Sequence, residues 1–336
     1  MARRSASRGA AGPARKPWIV AVGALLLIGT LSLVAVPWLR PGPEPPDVTR
    51  PQFSGGNAFD HVETQVAFGP RVPGTPPHDS TRAWLVETLG RYSDRVVELP
   101  VRAEARDGSG RVFEGTNIVA SFSPDAARRV MLAAHWDTRP TADADPDPSR
   151  RDEPVLGAND GASGVAVLLE MARLLAESPP GPGVDLVLFD LEDLGESDFA
   201  TDSTAVPFAL GSAVFVRDNP QYRPAYGVLL DMVGDRDLVI PKEGYSQQAA
   251  PEVVERVWAA ARRVGADAFV DRVGAPVFDD HVPFLQAGIP VVDLIHNPFP
   301  DTWHTTADTP DRVRAESLQQ VGDVLVELLW GEPAAL

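Results

Sequence analysis

Val184-Asp-Leu-Val-Leu-Phe189-Asp190-Leu-Glu192-Asp193 is a run of strand-forming residues that stops in acid. Short apolar runs bounded by turn residues read as buried strands, and the pattern recurs on both sides of this one. Val130-Met-Leu-Ala-Ala134 runs into His135-Trp-Asp137, Gly227-Val-Leu-Leu230 runs into Asp231, and Ile289-Pro-Val-Val292 precedes a loop carrying His304. Helical patterns alternate with these strands. Ser163 to Leu175 spaces Val165, Leu168, Leu169 and Met171 on one face. Pro251 to Val264 opens with a proline suited to the first helical turn and aligns Val254, Val257 and Trp258. Glu316 to Trp330 predicts a third helix. Strand and helix in alternation predict an α/β fold: a single domain with a central twisted, mostly parallel or mixed β-sheet flanked by helices.

In open α/β sheets, ligands bind in the crevice beyond the carboxyl ends of the strands. Five loops deliver polar groups there: His135 and Asp137; Asp160 in Gly157-Ala-Asn-Asp160-Gly-Ala-Ser-Gly164; Glu192 and Asp193; Asp231; and His304 in Phe299-Pro-Asp-Thr-Trp303-His304. Each alone has an ordinary reading. A His-x-Asp is usually a satisfied pair, an Asp before a helix an N-cap, and an adjacent Glu-Asp a solvated loop. Those readings do not predict that all five fall on one edge of the sheet. The chain has no cysteine, which excludes disulfides, thiolate ligands and cysteine nucleophiles. Histidine with carboxylate and no thiolate is the donor set of catalytic Zn²⁺ with an open position.

Hydrophobic residues make up 44% and charged residues 23% of the 336, proportions that exclude wholesale disorder. A formal charge of −17 argues against nucleic-acid binding, which needs clustered Lys and Arg. Five of the 30 basic residues and none of the acidic ones lie in residues 1–17, a basic cytoplasmic tail. Residues 18–38 contain an uncharged run from Trp18 to Val36, about 28 Å long as a helix, against a bilayer core of about 30 Å. Basic residues before this run place the N-terminus inside, and Pro37 follows Val34-Ala35-Val36 where signal cleavage would fall. The expectation is a single-pass signal anchor in the cytoplasmic membrane, the alternative being secretion after cleavage. Residues 39–51 read as a Pro-rich stalk and residues 52–336 as the extracytoplasmic catalytic domain. Within that domain, Thr141 to Pro154 reads as an exposed loop. Its Asp143, Asp145, Asp147 and Asp152 suggest a solvated face more than a Ca²⁺ site. Leu194 to Pro207 reads as a second long loop, bordering the site because it begins beside the carboxylate pair.

The motifs His135-Trp-Asp137, Gly157 to Gly164, Phe189-Asp-Leu-Glu192-Asp193, Leu230-Asp231 and Trp303-His304-Thr305 resemble, in order, those of the zinc aminopeptidases with co-catalytic metals. Within that superfamily the chain looks most like the glutaminyl cyclases, or glutaminyl-peptide cyclotransferases. Phe278-Asp279-Asp280-His281-Val-Pro-Phe284-Leu-Gln-Ala-Gly288-Ile-Pro290, then Asn297-Pro-Phe-Pro300 and Trp303-His304, carry the distinction. The resemblance implies one Zn²⁺ on Asp160, Asp193 and His304. It implies Glu192 as general acid/base, supported by a hydrogen-bond network through Asp231 and Asp279, and a substrate pocket walled by Phe299 and Trp303. The implied substrates are peptide or protein N-termini bearing glutamine.

The chain departs from the animal cyclases at Asp193, where they have Glu, at Asp293, where they have His, and at Phe278, where they have Gln. Their tryptophan after the Glu pair has no counterpart near Asp198. A second reading is a dizinc aminopeptidase, with His135 and Asp231 holding a second metal and Asp160 bridging. A third is a binding module that kept the fold, against which the persistence of Glu192 and every metal position speaks. The other histidines, His61, His78, His281 and His296, read as structural or surface, with His281 placed to orient the Asp pair beside it.

Overall fold

Strands β1 (Arg95–Glu104) and β2 (Val112–Phe122) form an antiparallel pair at one edge of the main sheet. Strands β3 (Arg129–His135), β4 (Gly183–Phe189) and β5 (Tyr226–Asp231) follow, and then β6 (Ile240–Lys242) and β7 (Phe269–Val273) make a small separate parallel sheet. Strand β8 (Val291–Ile295) completes the six-stranded sheet, whose order is β1-β2-β4-β3-β5-β8. The four members β4, β3, β5 and β8 are parallel to their neighbours in that run. The computed structural model describes residues 50–105, 107–196 and 198–331, which form one compact α/β unit with a mixed sheet. The basic tail, the anchor and most of the stalk lie outside the described residues. Among those described, no helix is long and apolar enough to cross a membrane.

Parallel strands covered on both faces must be apolar along their length. That condition is why these four stand out in sequence: every residue of β4, β5 and β8 is buried. Strand β8 begins at Val291, two residues later than the apolar run. Pro290 has no N–H to donate, and it enters the sheet only through its carbonyl, which accepts from Gly227 N at 2.9 Å. Strands β1 and β2 escaped the reading. Strand β1 is half-buried or exposed everywhere except at Val101 and holds Pro100, which an edge strand tolerates.

The helices are α1 (Gly55–Ala67), α2 (Pro76–Gly90), α3 (Ala162–Glu177), α4 (Leu210–Asp218), α5 (Gly244–Ala249), α6 (Pro251–Val264), α7 (His281–Gln286) and α8 (Ala315–Trp330). Helix α3 is buried on nearly every side rather than along one stripe, because β3 lies under one face while α1 and α8 cover others. Even Glu170 is buried there, accepting from Ser54 N and Asn57 Nδ2 and paired with Arg173.

Gly164 lets α3 approach the sheet: a Cβ at that position would lie 2.4 Å from the Leu230 carbonyl oxygen. Gly164→Ala is therefore expected to destabilise the fold by roughly 1–3 kcal/mol through overpacking. Thermal denaturation should show a lowered Tm, and an unchanged Tm would mean that α3 does not lean on β5 as described.

Candidate active site

The parallel register sets Ala133 opposite Leu229, and so brings the carboxyl ends of β3 and β5 to one level. His135 and Asp231 leave those ends together, with His135 Nε2 lying 3.3 Å from Asp231 Oδ1. The same nitrogen is 3.0 Å from Asp160 Oδ1. Asp160 arrives from the turn before α3, where Gly161 (φ +51°) caps the helix and Asp160 itself does not. A Cβ on Gly161 would meet the His135 carbonyl oxygen at 2.7 Å, so glycine is required twice over, by conformation and by space. Asp308 fixes this turn by accepting from Asn159 N at 2.8 Å and Asp160 N at 3.0 Å. The Asp160 carboxylate is left facing the site.

Beyond β4, Leu191 takes a left-handed backbone (φ +58°), and the chain turns so that Glu192 and Asp193 point back over the sheet. Asp137 clamps this turn, its two oxygens accepting from Glu192 N and Asp193 N at 3.1 Å each. His304 (φ +55°) and Met232 (φ +48°) are left-handed as well. Three non-glycine residues in this conformation at one sheet edge represent backbone strain held by the surrounding fold.

Two groups of donor atoms result. Asp160, Asp193 and His304 bring ligand atoms within 4.8 Å of one another, and so do His135, Asp160 and Asp231, with Asp160 common to both. His304 Nε2 is 3.3 Å from Asp193 Oδ1. Asp193 Oδ2 is buried without a hydrogen-bond partner. A buried carboxylate oxygen without a donor, among nitrogen and oxygen ligands only, fits a borderline divalent cation such as Zn²⁺.

The loop from Thr141 to Pro154 is mostly exposed, as its composition predicts, yet part of it turns inward. Asp145 is buried and accepts from Thr306 N and Oγ1, while Ala144 N donates to the His304 carbonyl oxygen at 3.2 Å. The loop therefore holds the His304 segment in place. Asp143 Oδ1 lies 3.6 Å from His304 Nδ1 and pairs closely with Arg139. The buried Arg139 guanidinium also reaches Asp193 Oδ1 at 3.3 Å and the Gly195 carbonyl at 2.9 Å. Outer partners of this kind tune a metal ligand. Asp143→Asn is expected to weaken zinc binding about tenfold, measured by competition with a chromogenic chelator. Unaltered affinity would remove Asp143 from the account.

Glu192, Asp231, Asp279 and His304 open onto a cavity of about 470 Å³ that also exposes Asp160 and Arg139. Its walls are aromatic: Phe199, Phe208, Phe278, Phe299 and Trp303. The Trp303 ring stacks on the His304 imidazole with centroids 3.6 Å apart, and Phe299 meets Trp303 at 4.9 Å. Phe199 reaches in from the Leu194–Pro207 loop, which borders the site as its position beside the carboxylate pair predicts, and packs on Phe208 and Phe278.

Burial holds the Glu192 carboxyl well above the ordinary range, and the negative charges of Asp279, Asp193 and Asp280 add to it against the opposing effect of His135. Burial, reinforced by Asp231, lifts Asp279 to about 7; burial, reinforced by Asp160, lifts Asp231 to about 6. Burial opposes a charge on His304, but Asp193 and Asp143 outweigh it and raise the imidazole to about 9. Asp231 and Asp279 share the cavity with Glu192; Asp231 also faces His135, and Asp279 Oδ1 accepts from Asp280 N. Asp279 acts on Glu192 through space.

The sequence signature of Peptidase family M28 matches residues 117–329. The chain belongs to that family. Among its M28-fold neighbours, the glutaminyl cyclase of Bacteroides thetaiotaomicron, solved with N-acetylhistamine, is 38% identical and superposes with a TM-score of 0.79 over 85% of this chain and 100% of its own. A structure described as a leucine aminopeptidase precursor from the same organism is 39% identical, with the same TM-score and the same coverage of both chains. The Bos taurus glutaminyl-peptide cyclotransferase is 28% identical, covering 76% of this chain and 77% of the bovine one. The resemblance read from the motifs is thereby borne out.

The M28 site also contains residues that sequence reasoning passed over. Arg139 is one of them, two positions after the Asp137 that the motif His135-Trp-Asp137 already singles out. Asp308, Phe199 and Phe208 lie in irregular loops and carry no such signal.

Proposed function

We propose that the domain is a zinc-dependent glutaminyl-peptide cyclotransferase, converting N-terminal glutamine of peptides and proteins to pyroglutamate with release of ammonia. The observation that carries this reading is the buried Glu192, which shares an aromatic-walled cavity with Asp279 and has its proton affinity raised. The names of the bacterial and bovine relatives support it.

Cyclisation joins the α-amino nitrogen to the γ-amide carbon and breaks that carbon's bond to the amide nitrogen. Asp160, Asp193 and His304 would hold Zn²⁺, which when bound would supply Lewis acidity toward the γ-carbonyl. Glu192 takes one proton from the attacking amine and returns it to the departing nitrogen, which leaves as ammonia. A carboxylate with raised proton affinity suits both halves of that transfer. Asp231 and Asp279 line the cavity beside Glu192, where the substrate's amine would enter. Phe299 and Trp303 enclose the short glutamine side chain and keep water from competing with the internal amine. Residues 18–38 anchor the domain in the cytoplasmic membrane, and residues 39–51 hold it outside, where exported N-termini are its substrates.

The aminopeptidase reading rests on a specific observation, the intact His135, Asp160 and Asp231 group beside the first. With two metals there, Glu192 would instead activate a water. Paired assays separate the two. Ammonia release from Gln-initiated tripeptides, with no free amino acid from Leu- or Ala-initiated ones, is expected. Free leucine or alanine without ammonia would identify a peptidase.

A further inference from the structure

Glu243 caps α5 with both oxygens fully engaged. Oε1 accepts from Tyr245 N and Val277 N at 2.8 Å, and Oε2 accepts from Ser246 N at 2.7 Å. The fourth partner is His281 Nε2 at 3.1 Å. Because Glu243 offers only acceptors, that imidazole nitrogen carries a proton, which makes Nδ1 the nitrogen left to bind a cation. Metal-ligating histidines are oriented in this way, by donating their other N–H to a carboxylate.

This Nδ1 faces carboxylates. His281 Nδ1 lies 3.8 Å from Asp293 Oδ2, and Asp279 completes a set whose donor atoms all fall within 4.8 Å of one another. Asp293 and His281 are fully buried and Asp279 nearly so. Asp293 Oδ1 and Oδ2, Asp279 Oδ2 and His281 Nδ1 all lack hydrogen-bond partners. One donor atom from each of the three residues converges, and these buried side chains keep polar atoms without the hydrogen-bond partner such atoms ordinarily find. After its own burial, the strongest influences on Asp293 are the carboxylates Asp279, Glu243, Asp231 and Asp280, with no cation among them.

We propose that Asp279, His281 and Asp293 form a further divalent-cation site of zinc-like N/O chemistry, separate from the ligands Asp160, Asp193, His304, His135 and Asp231. A tetrahedral ion with bonds of about 2.1 Å sets its donors about 3.4 Å apart, so the His281–Asp293 gap closes by a few tenths of an ångström on binding. Asp279 lines the active-site cavity, which gives the ion its way in. An ion there also neutralises the charge that Asp279 directs at Glu192, so occupancy weakens the proton affinity of the shuttle. The site holds whichever reaction the enzyme catalyses.

The test is anomalous diffraction at the zinc edge from crystals of the protein grown with excess ZnCl₂. A peak among Asp279, His281 and Asp293 is expected, and its absence overturns the proposal whatever is bound elsewhere. Asp293→Asn should abolish that peak and lower zinc content by one equivalent per chain, leaving the peak at Asp160, Asp193 and His304. Asp293→His, which restores a donor, should retain the ion. A peak undiminished in Asp293→Asn would also overturn the assignment. If that variant does not fold, the wild-type crystal alone decides.

Discussion

Glu192→Gln is expected to reduce turnover by about 10²–10⁴-fold with zinc content unchanged, the loss typical of a removed acid/base. Glutamine keeps the shape of the side chain and cannot exchange a proton. Its backbone N–H still donates to Asp137, so the turn that presents Asp193 to the metal survives. The loss should fall on kcat if Glu192 acts on the reacting proton as proposed, and KM should move little. The metal-to-protein ratio, measured on the same sample, separates a lost shuttle from a lost ion. A fully active variant would falsify the mechanism for cyclase and peptidase alike, because both route a proton through this carboxylate.

His304→Ala is expected to lose zinc, with affinity falling by more than the roughly 10–100-fold that outer-shell changes cost. His304 supplies the nitrogen of the Asp160, Asp193 and His304 group. Removing it leaves two carboxylates, one of them already engaged by Arg139. Trp303 also loses the ring on which it stacks, so the cavity wall should loosen and activity should not return on adding zinc at ordinary concentrations. Tight, stoichiometric zinc in this variant would remove His304 from the ligand set.

On the proposed reading, the two variants divide the site into a proton-handling part and a metal-holding part. Glu192 is carried by the turn after β4, whereas His304 is carried by a loop held by Asp145 and Thr306. That separation explains why one substitution should leave the metal in place and the other should not.

Parallel strands made the site legible. Because β3, β4, β5 and β8 are almost wholly buried and mostly apolar, His135, Glu192, Asp193 and Asp231 stand out where the chain leaves the sheet. The glycines around Asp160 were equally readable, since close approach and left-handed backbone leave few other choices. Strands β1 and β2 were not legible. The half-exposed edge strand β1 has no continuous apolar run, and Pro100 argues against a strand until an edge is known. Nor were Arg139, Asp143 and Asp145 readable as site residues. Their loop is rich in Asp and Pro like any solvated segment, and only the contact with the His304 loop, more than a hundred residues away in the chain, gives those carboxylates a task. His281 sits between the two cases. Its place beside Asp279 and Asp280 was visible, but its bond to Glu243 joins residues 38 apart and depends on how α5 meets α7.

Mass spectrometry of the products from a Gln-initiated dipeptide tests the central claim most directly. The account predicts a single product lighter than the substrate by one ammonia, with the peptide bond intact. Free glutamine and the released second residue would contradict it.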